Sequence, residues 1–272
     1  MSELDEIGVW SEIKLEILKK YAKAYSTILS AKRFHHIYID AFAGAGKHIS
    51  RESRKLIPGS PLNALNVEPP FDEYYFVDLK RIRVEALEQI SNDRSNVKVL
   101  HGDCNKILLN EVFPHVKYED YLRGLCLLDP YGLDLNWEVI ETAGKMRSIE
   151  IFLNFPLADM NRNVLWGNPN KVDNNQLERL NRYWGDESWK KTAYDPNNNL
   201  FGYELKTRDS NAVVEAFQKR LVSVATFSCV PKPIPMRNSK GVILYYLFFA
   251  SHNATGAKIA KDIFDKYRNK GV

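Results

Sequence analysis

Cysteine is scarce in this sequence of 272 residues, which contains Cys104, Cys126 and Cys229 and no C-x-x-C pair. Structural zinc sites and disulfide-stabilised folds need several cysteines at close or regular spacing, so this pattern argues against both. His101 and His115 have no companions at the spacing of metal ligands either. We therefore expect no metal site.

Long apolar runs are also missing. No stretch reaches the roughly 18–20 apolar residues of a membrane-spanning helix, and the acidic start Met1–Glu6 is not followed by the apolar core of a signal peptide. These absences predict a cytoplasmic protein with no membrane association. Lysine and arginine number 38 against 34 aspartate and glutamate, a net charge of +4. Such an excess is compatible with a nucleic-acid partner but does not demand one.

Two nucleotide-binding motifs are absent. Gly44 and Gly46 begin a G-x-G, but Ile49 stands where a dinucleotide fingerprint has its third glycine. The next strand-end acid, Asp78, lies far beyond the usual spacing of about 20 residues. Lys47 follows Gly46 without the other residues of a phosphate-binding P-loop. The sequence therefore disfavours nicotinamide cofactors and nucleotide hydrolysis.

The sequence does contain short apolar runs that alternate with amphipathic helical patterns. This alternation is typical of a parallel sheet covered by helices on both faces. We predict an α/β, Rossmann-like fold with a seven-stranded, mainly parallel sheet. The predicted strands are 36–42, 74–78, 97–100, 125–128, 149–155, 224–230 and 242–250, and the main helices are 10–29, 81–90, 105–112, 137–146, 211–221 and 254–267.

Residues 156–206 interrupt this rhythm with a segment rich in asparagine, tryptophan and charge. We interpret it as a helical insertion or lid that separates a core domain with its N-terminal helix (1–155) from a segment that completes the sheet (207–272). Its aromatic and basic side chains are predicted to form the small core of the lid, and the alternative is a surface that stacks on a base or binds a partner. They are Arg162, Trp166, Arg179, Arg182, Trp184 and Trp189.

Four predicted strands end in residues suited to a ligand, and open α/β sheets bind ligands at the carboxyl ends of their strands. The small residues from Asp40 to Gly46 let a ligand approach the backbone closely. Asp78 can accept hydrogen bonds from both hydroxyls of a ribose, and Asp103 can accept one from an adenine amino group. Each of these carboxylates has the alternative of being an ordinary loop residue.

Basic residues cluster near the same predicted edge. We interpret the segment 47–55 as a loop that either contacts phosphates or is simply solvated. Its basic residues are Lys47, His48, Arg51, Arg54 and Lys55. On the first helix, Lys14 and Tyr21 are expected to be a solvated lysine and a core tyrosine, with closure over a cofactor as the alternative.

The order of these strand ends resembles the class I methyltransferases. More narrowly, Tyr38–Gly44 together with Pro58–Leu62 and Leu127–Gly132 looks like the three-Cys-motif partner family, TcmP, as does the pattern of the N-terminal helix. The resemblance covers roughly residues 10–160 well. It implies S-adenosylmethionine as cofactor and a protein partner bearing three cysteines, of the radical S-adenosylmethionine type.

The motif Asp129-Pro130-Tyr131-Gly132 resembles the [D/N]-P-P-Y motif of amino-group methyltransferases, with Tyr131 in place of the second proline. The resemblance implies that Asp129 and Tyr131 are catalytic and orient an amino or similar nucleophile, with nucleic acid as one class of acceptor. The alternatives are a strand-end turn that binds cofactor or caps a helix, and a non-catalytic subunit that binds the cofactor and serves a three-Cys-motif protein. The predicted cofactor-binding residues are Asp40, Phe42, Gly44, Gly46, Asp78, Leu79, Gly102, Asp103, Cys104 and Asp129.

Overall fold

A computed structural model describes residues 4–168, 171–195, 205–206 and 210–268. The strands are β1 (Glu6–Ile7), β2 (His35–Asp40), β3 (Lys47–Ser50), β4 (Leu56–Pro58), β5 (Glu73–Asp78), β6 (Val97–His101), β7 (Leu122–Leu128), β8 (Ile149–Phe155), β9 (Tyr194–Asp195), β10 (Leu205–Lys206), β11 (Ile234–Arg237) and β12 (Ile243–Ala250). The helices are α1 (Val9–Ala31), α2 (Ser60–Leu65), α3 (Arg81–Ser91), α4 (Cys104–Ile107), α5 (Trp137–Met146), α6 (Leu157–Asn163), α7 (Asn174–Trp184), α8 (Trp189–Ala193), α9 (Ser210–Ser223) and α10 (Ala254–Tyr267).

Seven strands form the central sheet in the order β11-β12-β8-β7-β2-β5-β6. All neighbours from β8 to β6 pair in parallel, whereas β12 is antiparallel to both β8 and β11. The prediction of a seven-stranded, mainly parallel sheet is confirmed. The chain runs outward from β2 first to β5 and β6 and then returns to β7, so the strand order reverses beside β2. Such a reversal opens a crevice at the carboxyl edge of the sheet.

The sheet is buried on both faces because its strands carry apolar residues at successive positions. Along β7, Leu125 and Leu127 belong to one buried cluster, whereas Cys126 and Leu128 belong to the other. Helices α1 and α10 contribute to the first cluster, and α5 and α9 contribute to the second. Alternate side chains of a strand point to opposite faces, which explains why these runs are apolar without a polar alternation.

One predicted strand is wrong. Residues 224–230 follow the end of α9 and form only a single bridge, from Cys229 to Ser251. Thr226 has a φ of 67°, which lies outside the extended region, and Ala225 and Phe227 are buried against the core in an irregular path. The sixth strand of the fold is instead β11, whose Ile234 pairs with Leu247 of β12.

The basic segment 47–55 is not a loop throughout, contrary to its predicted conformation. It contributes β3, which pairs with β4 and with the short β1 in a separate three-stranded sheet. This sheet folds back on the glycine-rich turn, where the Gly59 amide donates a 2.8 Å hydrogen bond to the Gly46 carbonyl. A side chain at Gly59 would lie 3.0 Å from the Gly46 backbone. The hairpin formed by β3 and β4 therefore packs against the glycine-rich turn.

The segment between β8 and α9 contains α6, α7, α8 and the two-residue pair of β9 and β10. Buried side chains of α7 and α8, among them Tyr183, Trp184 and Trp189, belong to the same cluster as the sheet residue Phe155. The described helices of this segment and the sheet thus share one core. The division at 155 and 206 stays a prediction, because residues 196–204 and 207–209 lie outside the described residues.

In the segments that the structure describes, no helix combines the length and apolar character needed to cross a membrane.

A buried carboxyl group lies at the opposite, amino edge of the sheet. Glu150 of β8 is 8% exposed and accepts hydrogen bonds from the hydroxyls of Tyr21 (2.5 Å) and Ser251 (2.9 Å). Gly256 of α10 closes over it, since a Cβ there would meet the Tyr21 hydroxyl at 2.6 Å. Burial raises the pKa of Glu150 from 4.5 to about 7, because the charged form loses its hydration.

This pKa predicts a pH dependence of stability. Between pH 4.5 and 7 the folded protein keeps a proton on Glu150 that the unfolded chain has released, so the free energy of unfolding falls as the pH rises. The slope from this group is at most about 1.4 kcal/mol per pH unit. Glu150→Gln removes this titrating group. When urea unfolding is measured at several pH values across this window, the free energy of unfolding should fall less steeply with pH for the variant than for the wild type.

The exposed Glu88→Gln serves as control for the loss of a carboxylate and should keep the wild-type slope. Equal slopes for wild type and Glu150→Gln would contradict a raised pKa at this position.

Candidate cofactor and acceptor site

Three aspartates lie at the carboxyl ends of adjacent strands. Asp40 ends β2, Asp78 ends β5, and Asp129 follows directly after β7. Strand β2 lies between the other two, and neighbouring strands are about 5 Å apart. The structure therefore brings together at one edge the three predicted site residues that bear carboxylates on neighbouring strands.

The glycine-rich turn after β2 passes between these strand ends. Gly44 and Gly46 have φ values of 64° and 78°, a conformation that favours glycine. A Cβ at Gly44 would meet nothing within 4 Å, so a ligand can approach the backbone there. The Gly44 amide donates a 3.0 Å hydrogen bond to Asp78 Oδ2, which ties the turn to the end of β5.

The carboxylate of Asp78 accepts hydrogen bonds from two backbone segments. Besides Gly44, it accepts a 2.8 Å hydrogen bond at Oδ1 from the Lys80 amide, and Arg83 Nη1 lies 3.7 Å from Oδ2. The residue is 6% exposed. Each carboxylate oxygen can accept two hydrogen bonds, so the two backbone donors leave capacity for ligand hydroxyls.

The residues after β5 and β6 lie at the rim of this edge. Leu79 is 71% exposed, and Asp103 is an exposed N-cap that accepts from the Asn105 amide at 2.9 Å. The Gly102 amide donates to the Asp78 carbonyl at 3.1 Å. Burial raises the pKa of the Cys104 thiol to about 12, so this cysteine packs as a neutral side chain.

Asp129 forms a partly buried polar network. Its Oδ2 accepts from Lys14 Nζ of helix α1, and its Oδ1 accepts from Asn154 Nδ2 at 2.9 Å. Lys14 and Asp129 expose only 11% and 25% of their side chains. Burial acts to lower the pKa of Lys14, but the attraction of Asp129 and smaller contributions from Tyr245 and Asp40 more than offset it, so the net pKa is raised.

Several buried polar atoms around this network lack hydrogen-bond partners among the described residues. They are Asp40 Oδ2, His48 Nδ1, Asn154 Oδ1 and Asp159 Oδ2. Asp40 is fully buried, and burial raises its pKa from 3.8 to about 7. Buried polar atoms without partners are costly and rare in folded proteins. Asp40 and His48 flank the glycine-rich turn in the chain, and Asn154 bonds to Asp129 at the neighbouring strand end. Their unmet hydrogen bonds fit a polar ligand that supplies them.

Tyr131 is not part of this network. It is 94% exposed, and the following Gly132, with a φ of 79°, turns the chain toward the lid. A Cβ at Gly132 would lie 3.2 Å from Asp159 and 3.3 Å from Arg179. The structure thus places the two predicted catalytic residues apart, with Asp129 inside the edge and Tyr131 in solvent.

The sequence did not predict Asn154 as a site residue, and it predicted Lys14 to be solvated. Asn154 lies near the end of β8, the fifth strand that points to this edge, so the strand-end argument could have found it. Lys14 carried no comparable signal. Its helix reaches the sheet edge only through tertiary packing, and its buried pairing with Asp129 contradicts the expectation of a solvated lysine.

No protein-family model matches this chain, and no curated protein matches it. Among solved structures, protein LPL1258 from Legionella pneumophila aligns with a TM-score of 0.56 at 13% identity, over 94% of this chain and 93% of that one. A S-adenosylmethionine-dependent methyltransferase from Clostridium acetobutylicum aligns at a TM-score of 0.40 and 12% identity, over 86% and 91%.

The first likeness spans nearly the whole of both chains and, at its low identity, shows the fold alone. Together with the antiparallel β12 placed between β8 and β11, it fits the predicted architecture. The fold is α/β and Rossmann-like, with a seven-stranded, mainly parallel sheet. Within it, the carboxyl edge beside β2 is the position where such open sheets bind ligands.

Substitutions of Lys14 and Asp129 should have strongly non-additive effects on the free energy of unfolding. Either Lys14→Met or Asp129→Asn leaves the other side chain poorly hydrated and without its counter-charge. We expect each substitution to lower the free energy of unfolding by about 2 to 4 kcal/mol. The double variant should cost less than the sum, because no unpaired charge remains. Urea unfolding of the four proteins measures the coupling.

The exposed pair Lys258–Asp262, with side chains 76% and 51% exposed, is the matched control and should show no measurable coupling. Additive effects at Lys14 and Asp129 would mean that the pair does not form in solution.

Proposed function

We propose that this protein is a S-adenosylmethionine-dependent methyltransferase that acts on an amino group or a similar nucleophile. The observation that carries the proposal is the set of unpartnered, buried polar atoms around Asp40 and Asn154, beside the open turn at Gly44. It lies at the strand-order reversal of a methyltransferase fold. The resemblance of the strand-end motifs to class I methyltransferases supports the same assignment.

Residues of three strand ends would hold the cofactor. Asp78 is suited to the ribose hydroxyls, the turn from Phe42 to Gly46 to close backbone contact, and the segment from Gly102 to Cys104 to the adenine, with Leu79 as an exposed apolar side chain next to Asp78. When bound, the cofactor supplies an electrophilic methyl group on a sulfonium.

Asp129 and Asp40 would serve the acceptor. Asp129 is fixed by Asn154 and Lys14, so it can orient an amino group by accepting its hydrogen bond. Asp40, with its unpartnered Oδ2 and a pKa raised by burial to about 7, can take up a proton that the amino group releases near neutral pH. Tyr131, exposed beside this edge, would contact a large acceptor.

Nucleic acid is the class of acceptor that the surroundings of the site support. Lys47, Arg51 and Lys55 are exposed on the hairpin segment over the glycine-rich turn. Arg54 and Arg83 are partly neutralised by ion pairs with Glu6 and Asp5. Exposed cations that flank a site suit phosphate contacts, which position a nucleic acid without reading its sequence.

A second candidate is a non-catalytic subunit that binds the cofactor and serves a three-Cys-motif protein. One observation favours it: Lys14 already occupies Asp129, where an acceptor amine would have to bind. An enzyme must displace or share this lysine, whereas a binding subunit need not.

Cofactor binding tests what both candidates share. Calorimetric titration of the wild type with S-adenosylmethionine and S-adenosylhomocysteine should give micromolar binding, and Asp78→Ala should weaken it at least about a hundredfold, because two hydroxyl contacts and the anchor of the Gly44 turn are lost together. Asp93→Ala, which removes an exposed carboxylate after α3, should bind like the wild type. Absence of binding by the folded wild type would refute both candidates for the isolated chain.

Methyl transfer separates the two candidates. With radiolabelled cofactor and tRNA, DNA and protein fractions as acceptors, the wild type should transfer label, and Asp129→Asn should lower the rate by about a hundredfold or more while its cofactor affinity stays within a few-fold. No transfer to any fraction, together with retained cofactor binding and capture of a three-Cys-motif protein, would favour the binding subunit.

A further inference from the structure

A cavity lies at the amino edge of the sheet, opposite the carboxyl edge that bears Asp129. It has a volume of about 350 Å³ and lies between α1 and the start of α10, where β7 and β8 begin and β12 ends. This volume is in the range of small-molecule sites. None of the residues proposed above for cofactor or acceptor lines it.

The inner end of this cavity is polar. Glu150 lines it with its two hydroxyl donors, Tyr21 and Ser251. Tyr25 lines it as well, is 7% exposed, and has a hydroxyl that finds no hydrogen-bond partner within the described part of the chain. A buried hydroxyl without a partner is costly, so a ligand that bonds to Tyr25 would recover this loss.

The outer end is cationic. Arg123 lies in the second position of β7, and the amide of the next residue, Gly124, donates to the Ser148 carbonyl at 2.9 Å. This contact brings Arg123 near Arg147, which directly precedes Ser148, and Lys32 lines the same cavity. Arg147 is exposed, and no ion pair is found for it in the described residues. The cavity is thus lined by three cations, Lys32, Arg123 and Arg147, and by one carboxyl group, Glu150, whose pKa is raised. This balance of charge favours an anion as ligand.

Aromatic rings line the remaining wall. Tyr25, Phe34 and Tyr118 all border the cavity. The Arg123 guanidinium lies 4.8 Å from the Phe34 ring centroid and 3.9 Å from that of Tyr118. Its Nη1 donates to the carbonyls of Leu122 and Tyr118, which fixes the side chain and leaves further N–H groups for a ligand. Flat rings beside fixed cations suit a heterocycle that carries a phosphate.

We propose that this cavity is a second ligand site, separate from the cofactor edge, that binds a mononucleotide with its phosphate at Arg147 and Arg123 and its base against Tyr25 and Glu150. Each part of this ligand matches one end of the cavity. The phosphate meets the cationic rim, and the polar edge of the base meets the Tyr25 hydroxyl and the Glu150 carboxyl at the inner end.

Calorimetric titration of the full chain with AMP, GMP, CMP and UMP tests the site. At least one should bind saturably with a Kd below about 1 mM, and the matching nucleoside and inorganic phosphate should each bind more weakly. Arg147→Asn should weaken the mononucleotide about tenfold, because a charge-assisted hydrogen bond is lost, and Asn tolerates the φ of 61° at this position. Tyr25→Phe should weaken it several-fold.

Arg33→Asn is the matched control, since Arg33 is also exposed and has a φ of 59°, but does not line the cavity. It should bind the mononucleotide like the wild type. Asp78→Ala should also keep this binding, even if it loses the cofactor, so failure of the proposed function and failure of this site are told apart. Absence of saturable binding, equal binding of phosphate alone, or unchanged affinity in both Arg147→Asn and Tyr25→Phe would overturn the proposal.

Discussion

The ion pair between Lys14 and Asp129 joins the N-terminal helix to the end of β7, and the arrangement of the carboxyl edge depends on it. Without Lys14, Asp129 would be a poorly hydrated charge next to the fully buried Asp40, and two carboxylates so placed repel each other. The lysine offsets this repulsion and leaves Asn154 to fix the remaining oxygen of Asp129. Helix α1 is therefore part of the proposed site as well as a cover for the sheet.

The proposed cofactor site at the same edge comes at a cost to the folded chain. Asp40 and Asn154 keep polar atoms buried without partners, which a purely structural edge would avoid. The glycine-rich turn supplies the complementary feature, because Gly44 leaves open space where any side chain would stand. Unmet hydrogen-bonding capacity and open backbone together are what a polar cofactor requires.

The two edges of the sheet differ in the way they handle a buried carboxyl group. At the amino edge, Glu150 accepts hydrogen bonds from two hydroxyls and forms no ion pair with a described residue, so burial dominates and raises its pKa to about 7. At the carboxyl edge, Lys14 keeps Asp129 paired. Helix α1 contacts both, with Lys14 at one end and Tyr21 and Tyr25 further along. The helix thereby links the proposed cofactor site to the cavity at the amino edge.

The sequence by itself determined the strands that are apolar on both faces, such as β7, and the helices with clear amphipathic spacing, such as α5, because burial demands those patterns. It also located Asp40, Asp78 and Asp129 at strand ends. Only the tertiary structure decided that β11 rather than 224–230 pairs with β12, that 47–55 contributes a strand, that Lys14 pairs with Asp129, and that Tyr131 faces solvent. These features depend on contacts between residues far apart in the chain, which leave no periodic signal in the local sequence.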